Sequence, residues 1–214
     1  MEIFQIIKRN DVKSGKNGKI TIVGGGLSGP VMAMYLSEKG YRVDIYERRP
    51  DMRKTNISAG RSINLAVSKR GITALEEIGV FHKISSQIIP MYGRKIHNID
   101  GSTRFLPYGR PDQYINSVSR SELNILLMTE AEKTDRIRIL FQHSCSGMDL
   151  ESGTVFITNE VNGDQVTLQG TPVIAADGSG SAVRESMIKS GYLSGSFDPL
   201  GHSYKELSIP PDKS

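Results

Sequence analysis

Thr21-Ile-Val-Gly-Gly-Gly-Leu-Ser-Gly29 decides the reading of this chain. It carries Gly24-x-Gly26-x-x-Gly29 directly after Ile20 to Val23, a short apolar run of the kind that forms a buried parallel strand. Each glycine has a physical task. Gly24 lets the chain turn sharply out of the strand. Gly26 has no Cβ, so a pyrophosphate can approach the backbone. Gly29 lets the following helix pack close to the sheet. That helix is expected through Val31-Met-Ala-Met-Tyr-Leu-Ser-Glu-Lys39 and should stop at Gly40. Its N-terminal N–H groups and dipole favour phosphate charge. Arg42-Val-Asp-Ile-Tyr46 reads as the second strand, and a carboxylate at its end, Glu47, can accept hydrogen bonds from both ribose hydroxyls of an adenosine. A bare GxGxxG says little. Strand, turn, helix, strand and acid in this order is the context the motif requires, and it sets aside a chance glycine-rich turn.

Outward from this motif, Arg48 to Arg61 is a polar, basic loop and Ser62-Ile-Asn-Leu-Ala66 a short extended piece. Ile72, Leu75 and Ile78 have helical spacing over Lys69 to Ile78. Met91 to Ile99 and Thr103 to Leu106 flank Asp100-Gly101, a hairpin signal, and Tyr114 to Val118 is another strand. Ser119-Arg-Ser-Glu122 has the pattern of a capping box opening a helix to about Lys133, with Leu123, Leu126 and Leu127 inward. Arg136 to Phe141 reads as a third parallel strand. Ser144 to Asp149, Thr154 to Asn159 and Gln165 to Gln169 read as an antiparallel meander. Pro172 to Ala176 reads as a buried strand leading into Asp177-Gly178 and a helix from about Gly180. This is an α/β chain, but not a plain series of βαβ units, because a β-ribbon and a β-meander interrupt it.

The 214 residues allow one domain with a small second lobe. Composition is that of a soluble globular protein, with 37% hydrophobic and 23% charged residues. Cys145 is the only cysteine, so no intrachain disulfide can form, in agreement with a cytoplasmic location. No apolar run approaches a membrane span. The net charge of +4 comes without a Lys/Arg run or any Trp, which argues against nucleic-acid binding and suits an anionic dinucleotide or a carboxylate substrate. Residues 1–18 look like a flexible lead. His97, His143 and Cys145 lack the spacing and company of a metal-ligand set.

Val173-Ile-Ala-Ala-Asp-Gly-Ser-Gly-Ser-Ala-Val-Arg184 resembles the Asp-Gly motif of the FAD-dependent aromatic hydroxylases. Gly60-Arg-Ser-Ile-Asn-Leu-Ala-Val-Ser68, Ile115-Asn-Ser-Val-Ser-Arg-Ser-Glu-Leu-Asn124 and His202-Ser-Tyr-Lys-Glu-Leu-Ser-Ile-Pro-Pro211 look like the kynurenine 3-monooxygenase branch of that family. The resemblance implies a Rossmann-like FAD-binding domain of the glutathione-reductase type over 19–191, with part of the substrate region at 90–118. It implies FAD as cofactor, NADPH as co-substrate, and L-kynurenine and O2 as reaction partners. Candidate flavin contacts are then Gly24, Gly26, Leu27, Ser28 and Gly29, with Tyr46, Glu47, Arg48, Arg49, Ala66, Arg120, Cys145, Asp177, Gly178 and Ala182. Segments Pro90 to His97 and Leu106 to Gly109 are similar to those that supply the family's substrate-carboxylate arginine and tyrosine, here Arg94 and Tyr108. No acid–base residue of the protein is implied, since the cofactor carries the chemistry.

The family's chains are roughly twice this length, and the resemblance covers their N-terminal half. The C-terminal half of the usual fold is expected to be missing, with 192–214 the start of a substrate domain. The chain is then a fragment, an early-terminated frame, or a half completed by a C-terminal partner fragment. By itself it is expected to hold FAD poorly and to lack hydroxylase activity. Three other readings compete: a non-catalytic FAD- or nucleotide-binding module, another flavin-dependent aromatic hydroxylase, and an NAD-dependent dehydrogenase. The Asp-Gly motif and the inserted ribbon speak against the dehydrogenase.

Overall fold

Strand β1, Lys19–Val23, is an inner strand of the parallel sheet in the structure, a computed structural model that describes residues 18–54, 64–196, 198–199 and 201. All but the last residue of the expected lead at 1–18, the first half of the Gly60 segment and the His202 segment lie outside the described residues. Helix α1, Ser28–Glu38, follows β1 and returns the chain to β2, Arg42–Glu47. β1 pairs in parallel with β2, and β2 with β8, Ile137–Phe141. On its other side β1 pairs in parallel with β12, Val173–Ala175. The strand order is therefore β12-β1-β2-β8.

The side-chain period of two divides this sheet into unlike faces. One carries Ile20, Ile22, Val43, Ile45 and Ile137, all buried, with α1 packed against them. The other is split along its length. Towards the strand C-termini, Val23 and Tyr46 join Val155, Ile157 and Val183 in a cluster that Leu140, Cys145 and Met148 extend. Those partners come from an antiparallel meander and a helix. The meander is β9, His143–Asp149, β10, Thr154–Asn159, and β11, Gln165–Leu168. The helix is α5, Ala182–Lys189, capped by Ser181, whose Oγ accepts from the Arg184 N–H at 3.0 Å.

Towards the N-termini the same face is polar. Asp44 is only 4% exposed. It accepts two bonds from Arg138, from Nε at 2.8 Å and Nη2 at 2.7 Å, and Lys19 Nζ lies 2.7 Å away. Burial pushes the Asp44 carboxyl up, but the Arg138 and Lys19 hydrogen bonds and charges outweigh it and hold it below its usual value. A carboxyl with a depressed folded-state pKa contributes stability above its unfolded value and loses it as pH falls through the folded one. Both cations are themselves substantially exposed, which limits the gain. Asp44→Asn is therefore expected to cost about 1–2 kcal/mol at neutral pH. The gap to wild type should close as pH drops below about 4, the ordinary Asp value. Urea melts of both proteins across that range check it. A pH-independent gap would show that the charge is not the source.

Two compact units divide the chain, 1–51 with 127–194, and 52–126 with 195–214. The parallel sheet, meander and α5 make up the first. In the second, β7, Ile115–Ser119, pairs antiparallel with β3, Asn64–Val67, and with β4, Ile89–Met91. Helices α2, Lys69–Glu77, and α3, Phe81–Ile84, link β3 to β4. A separate two-stranded ribbon is formed by β5, Gly93–His97, and β6, Thr103–Pro107. Helix α4, Arg120–Ala131, begins in this unit and ends in the first. Ser119 Oγ accepts from the Glu122 N–H at 3.3 Å, one half of the expected capping box. Leu123 and Leu127 are buried as expected, Leu126 half so.

Two expectations need correction. The single strand Met91 to Ile99 is two strands in two sheets, β4 and β5, with Tyr92 between them. Register in different sheets depends on partners far along the chain, which local pattern does not encode. The strand at Pro172 to Ala176 is not buried: Val173 and Ile174 are half-buried and Ala175 is exposed. It is an edge strand among the described residues, pairing only with β1.

Candidate cofactor site

β1 sends the chain to β2 on one side, while β12 lies on the other, so the connectivity reverses beside β1. In open α/β sheets a ligand crevice lies at the strand C-termini where this reversal occurs. The residues at that end are the Gly24 turn, Glu47 and Asp177. Gly24 has φ +104, a conformation that L side chains rarely adopt. Its N–H donates to the Tyr46 carbonyl at 2.8 Å, and a Cβ there would lie 2.4 Å from the Ala176 carbonyl oxygen. Ala176 in turn donates its N–H to the Val23 carbonyl at 2.7 Å, which holds the Asp-Gly turn against the glycine turn.

The other glycines differ in kind. A Cβ on Gly29 would lie 2.1 Å from the Gly24 carbonyl oxygen and 3.7 Å from Ile22 Cγ2. Gly29 thus serves the closure of the turn more than helix–sheet contact. A Cβ on Gly26 would meet nothing within 4 Å. No atom of the described residues fills that space. Helix α1 starts beside it with Leu27 at the N-cap, no side-chain cap bond and no acidic residue in its first turn. This is a helix N-terminus suited to an anion.

Glu47 is 4% exposed. Its Oε2 accepts from the Gly25 N–H at 2.7 Å, and its Oε1 from the Arg49 N–H at 2.9 Å and Arg49 Nε at 2.8 Å. Burial pushes this carboxyl up, but the Arg49 and Gly25 contacts prevail and hold it below its usual value. At neutral pH it is an anionic acceptor. Gly25, unassigned in the motif, is a close fit, since a Cβ would come within 3.0 Å of Glu47 Cβ and 3.1 Å of Oε2 and the Glu47 side chain would have to give by a few tenths of an ångström.

Asp177 Oδ2 is buried without a hydrogen-bond partner in the structure. Such an atom is costly unless something donates to it. The turn it stands on is shaped by Arg184, whose Nη1 donates to the Gly178 carbonyl at 3.3 Å and whose Nη2 donates to that of Ser179. Arg184 closes the Asp-Gly motif in sequence. Its role was not legible there, because it acts on backbone carbonyls rather than on a ligand.

The other candidates stand on several elements. Arg48 and Gly178 are exposed, and Ala182 opens α5. The side chains of Tyr46 and Cys145 pack into the apolar cluster, with burial raising both pKa values. Strand parity dictates this for Tyr46, one residue before Glu47 and on the opposite face. Ala66, on β3, and Arg120, at the start of α4, belong to the second unit, as do Arg94 and Tyr108. Arg94 faces Leu106 across the ribbon, and the Tyr108 N–H donates to the Tyr92 carbonyl at 2.9 Å. Arg94 and Tyr108 are diagonal neighbours on one ribbon face, both exposed.

The profile of the FAD binding domain family matches residues 18–194. The chain belongs to the FAD binding domain family. The cradle described above fits FAD on observed grounds: space over Gly26, a helix start without a side-chain cap, a buried carboxylate, and an unpartnered Asp177 oxygen. Among similar proteins, kynurenine 3-monooxygenase of Myxococcus xanthus is 40% identical over 200 residues, covering 93% of this chain and 43% of its own length. Kynurenine 3-monooxygenase of Sus scrofa is 38% identical, covering 90% of this chain and 41% of its own length. The chain thus spans less than half the length of these relatives. The flavin-dependent monooxygenase PieE, solved with FAD and substrate, superposes with a TM-score of 0.66 at 20% identity over 80% of this chain and 32% of its own. p-Nitrophenol 4-monooxygenase PnpA of Pseudomonas putida superposes with a TM-score of 0.62 at 18% identity, over 79% of this chain and 44% of its own. These two share the fold of this FAD binding domain. No helix among its described residues is long and apolar enough to cross a membrane.

Proposed function

We propose that the chain is the FAD-holding part of a kynurenine 3-monooxygenase, a cytoplasmic enzyme that hydroxylates L-kynurenine to 3-hydroxykynurenine with NADPH and O2. The observation that carries the reading is the convergence of the Gly24 turn, Glu47 and Asp177 at the reversal point of one parallel sheet, in a chain so similar to proteins of that name. FAD, when bound, supplies the redox chemistry that NADPH and O2 require. The protein supplies binding and orientation. The pyrophosphate lies over Gly26 at the start of α1, among Leu27 and Ser28. Glu47 accepts from the adenosine ribose, and Asp177 Oδ2 accepts from a hydroxyl donor of the cofactor. Arg184 keeps the Asp-Gly turn in shape for that contact.

Substrate recognition falls to the ribbon. A guanidinium grips a carboxylate with two parallel bonds, and a phenol adds a donor beside it. Arg94 and Tyr108 sit on one face at a spacing that lets both reach one carboxylate group. In this reading 19–191 is an FAD-binding domain of the glutathione-reductase type, 90–118 contributes to the substrate region, and 192–214 starts a substrate domain that a C-terminal portion completes.

The test is a chimera in which residues 19–194 replace the matching segment of the Myxococcus xanthus relative. It should purify yellow with FAD and form 3-hydroxykynurenine from L-kynurenine, NADPH and O2. A flavin-loaded chimera that ignores kynurenine would overturn the substrate assignment. Within it, Arg94→Met is expected to weaken kynurenine binding by about 2–4 kcal/mol, the loss of a charge-assisted contact in a partly dry site. Unchanged kynurenine affinity by titration would remove Arg94 from the site.

A further inference from the structure

We propose that Arg49 is a built-in competitor for the cofactor's adenosine ribose, seated on Glu47 as a substitute for the ribose diol and displaced when the ribose binds. The inference rests on the reading of Glu47 as the ribose acceptor.

The geometry carries it. A carboxylate offers about four acceptor positions, two on each oxygen. In Glu47 all four are taken. Gly25 N–H and Arg49 N–H supply one donor each, at 2.7 Å and 2.9 Å. The Arg49 side chain supplies the other two, Nε to Oε1 at 2.8 Å and Nη2 to Oε2 at 3.4 Å. The backbone donors cannot leave without unmaking the turn. The side-chain donors can. They form a fork that gives one N–H to each oxygen, the pattern that two vicinal hydroxyls would make. A ribose diol and the Arg49 fork therefore compete for the same pair of lone pairs.

The arginine is also arranged to move alone. Its N–H is held by Glu47, and its carbonyl accepts from the Gln142 N–H at 3.1 Å, so the backbone is fixed on both sides. Gln142 has φ +58, a conformation of a tight link between β8 and β9 that aims its N–H there. The Arg49 side chain is 48% exposed against 5% for Glu47. The guanidinium can rotate into water, where it is well solvated, while the carboxylate stays put and exchanges partners. The seated arginine keeps a buried anion paired in the absence of nucleotide, since an unpaired buried charge is expensive.

The consequence is a binding penalty that removal of the side chain relieves. Arg49→Met keeps the stem and the backbone contacts and deletes the fork. With the 214-residue chain, adenosine is the decisive probe, because it has the diol and no phosphate. Adenosine binding, read by NMR titration, should tighten by roughly threefold to tenfold in Arg49→Met, the range for one partly exposed ion pair. 2′,3′-Dideoxyadenosine, lacking the hydroxyls, should show no gain. Raising salt should improve adenosine binding to wild type by screening the pair, and leave the variant unmoved. Lys39→Met, at an exposed position at the end of α1, controls for loss of a positive charge. Weaker adenosine binding in Arg49→Met, or an equal gain for the dideoxy compound, would overturn the proposal while leaving Glu47's role intact. If neither protein distinguishes adenosine from its dideoxy form, Glu47 is not the ribose acceptor, and the inference falls with that reading.

Discussion

Gly26→Val is expected to abolish FAD retention while leaving the melting temperature of the flavin-free protein where it is. The two halves of that result have separate causes. A Cβ on Gly26 meets no atom of the described residues within 4 Å, so the first atom of the new side chain is accommodated. The space it enters lies beside the start of α1, a helix N-terminus with no side-chain cap bond from Leu27. A pyrophosphate at that place must come to hydrogen-bond distance of the backbone, and a branched side chain stands in its path. The measurement is flavin absorbance of the Myxococcus xanthus chimera purified with and without Gly26→Val, beside a thermal melt of each apoprotein. FAD retained in full by Gly26→Val would move the pyrophosphate elsewhere. A large fall in melting temperature would mean that the empty space is structural after all.

Gly29→Ala should do the reverse, damaging the fold first. The added Cβ falls 2.1 Å from the Gly24 carbonyl oxygen, closer than any real contact. That obstacle is backbone, at a turn already fixed by the bond from the Gly24 N–H to the Tyr46 carbonyl and by Ala176 behind it. Either α1 shifts along the sheet or the turn opens. Alanine gains about 1 kcal/mol over glycine in a helix interior, which works against the clash but does not cancel it. Overpacking of a rigid site costs typically 1–3 kcal/mol and more where backbone must move. A net loss of about 3 kcal/mol translates to a fall of roughly 6–12 °C in a domain of this size. Flavin binding should fail as well, because the Gly24 turn is what aligns Gly26 and Glu47. A melt unchanged within about 1 °C would show that α1 sits less tightly on the turn than the structure places it.

Much of this architecture is written locally. The apolar run before Gly24, the helix spacing after it and the acid ending β2 specify a strand–turn–helix–strand unit by steric and burial rules that act over a few residues. The ribbon at Asp100-Gly101 and the meander were legible for the same reason, since turn chemistry and alternation are short-range signals. What distance along the chain concealed is the pairing. Nothing in Val173-Ile-Ala175 says that it joins the edge of β1, and nothing in Met91 to Ile99 says that Tyr92 divides two sheets.

The site divides in the same way. The identities of Gly24, Gly26, Gly29 and Glu47, and the chemistry each can perform, follow from residue type and spacing, whereas Asp177 is marked by the family resemblance of its motif. Only the tertiary structure decided which of these groups are engaged. It set the Arg49 fork on Glu47, brought Gly25 close against the Glu47 side chain, turned Gly29 against the Gly24 carbonyl, and left one Asp177 oxygen buried and unmatched. Those outcomes depend on where backbones from β1, β2 and β12 meet. That is settled by packing across the whole sheet, whereas a motif constrains only the residues inside it.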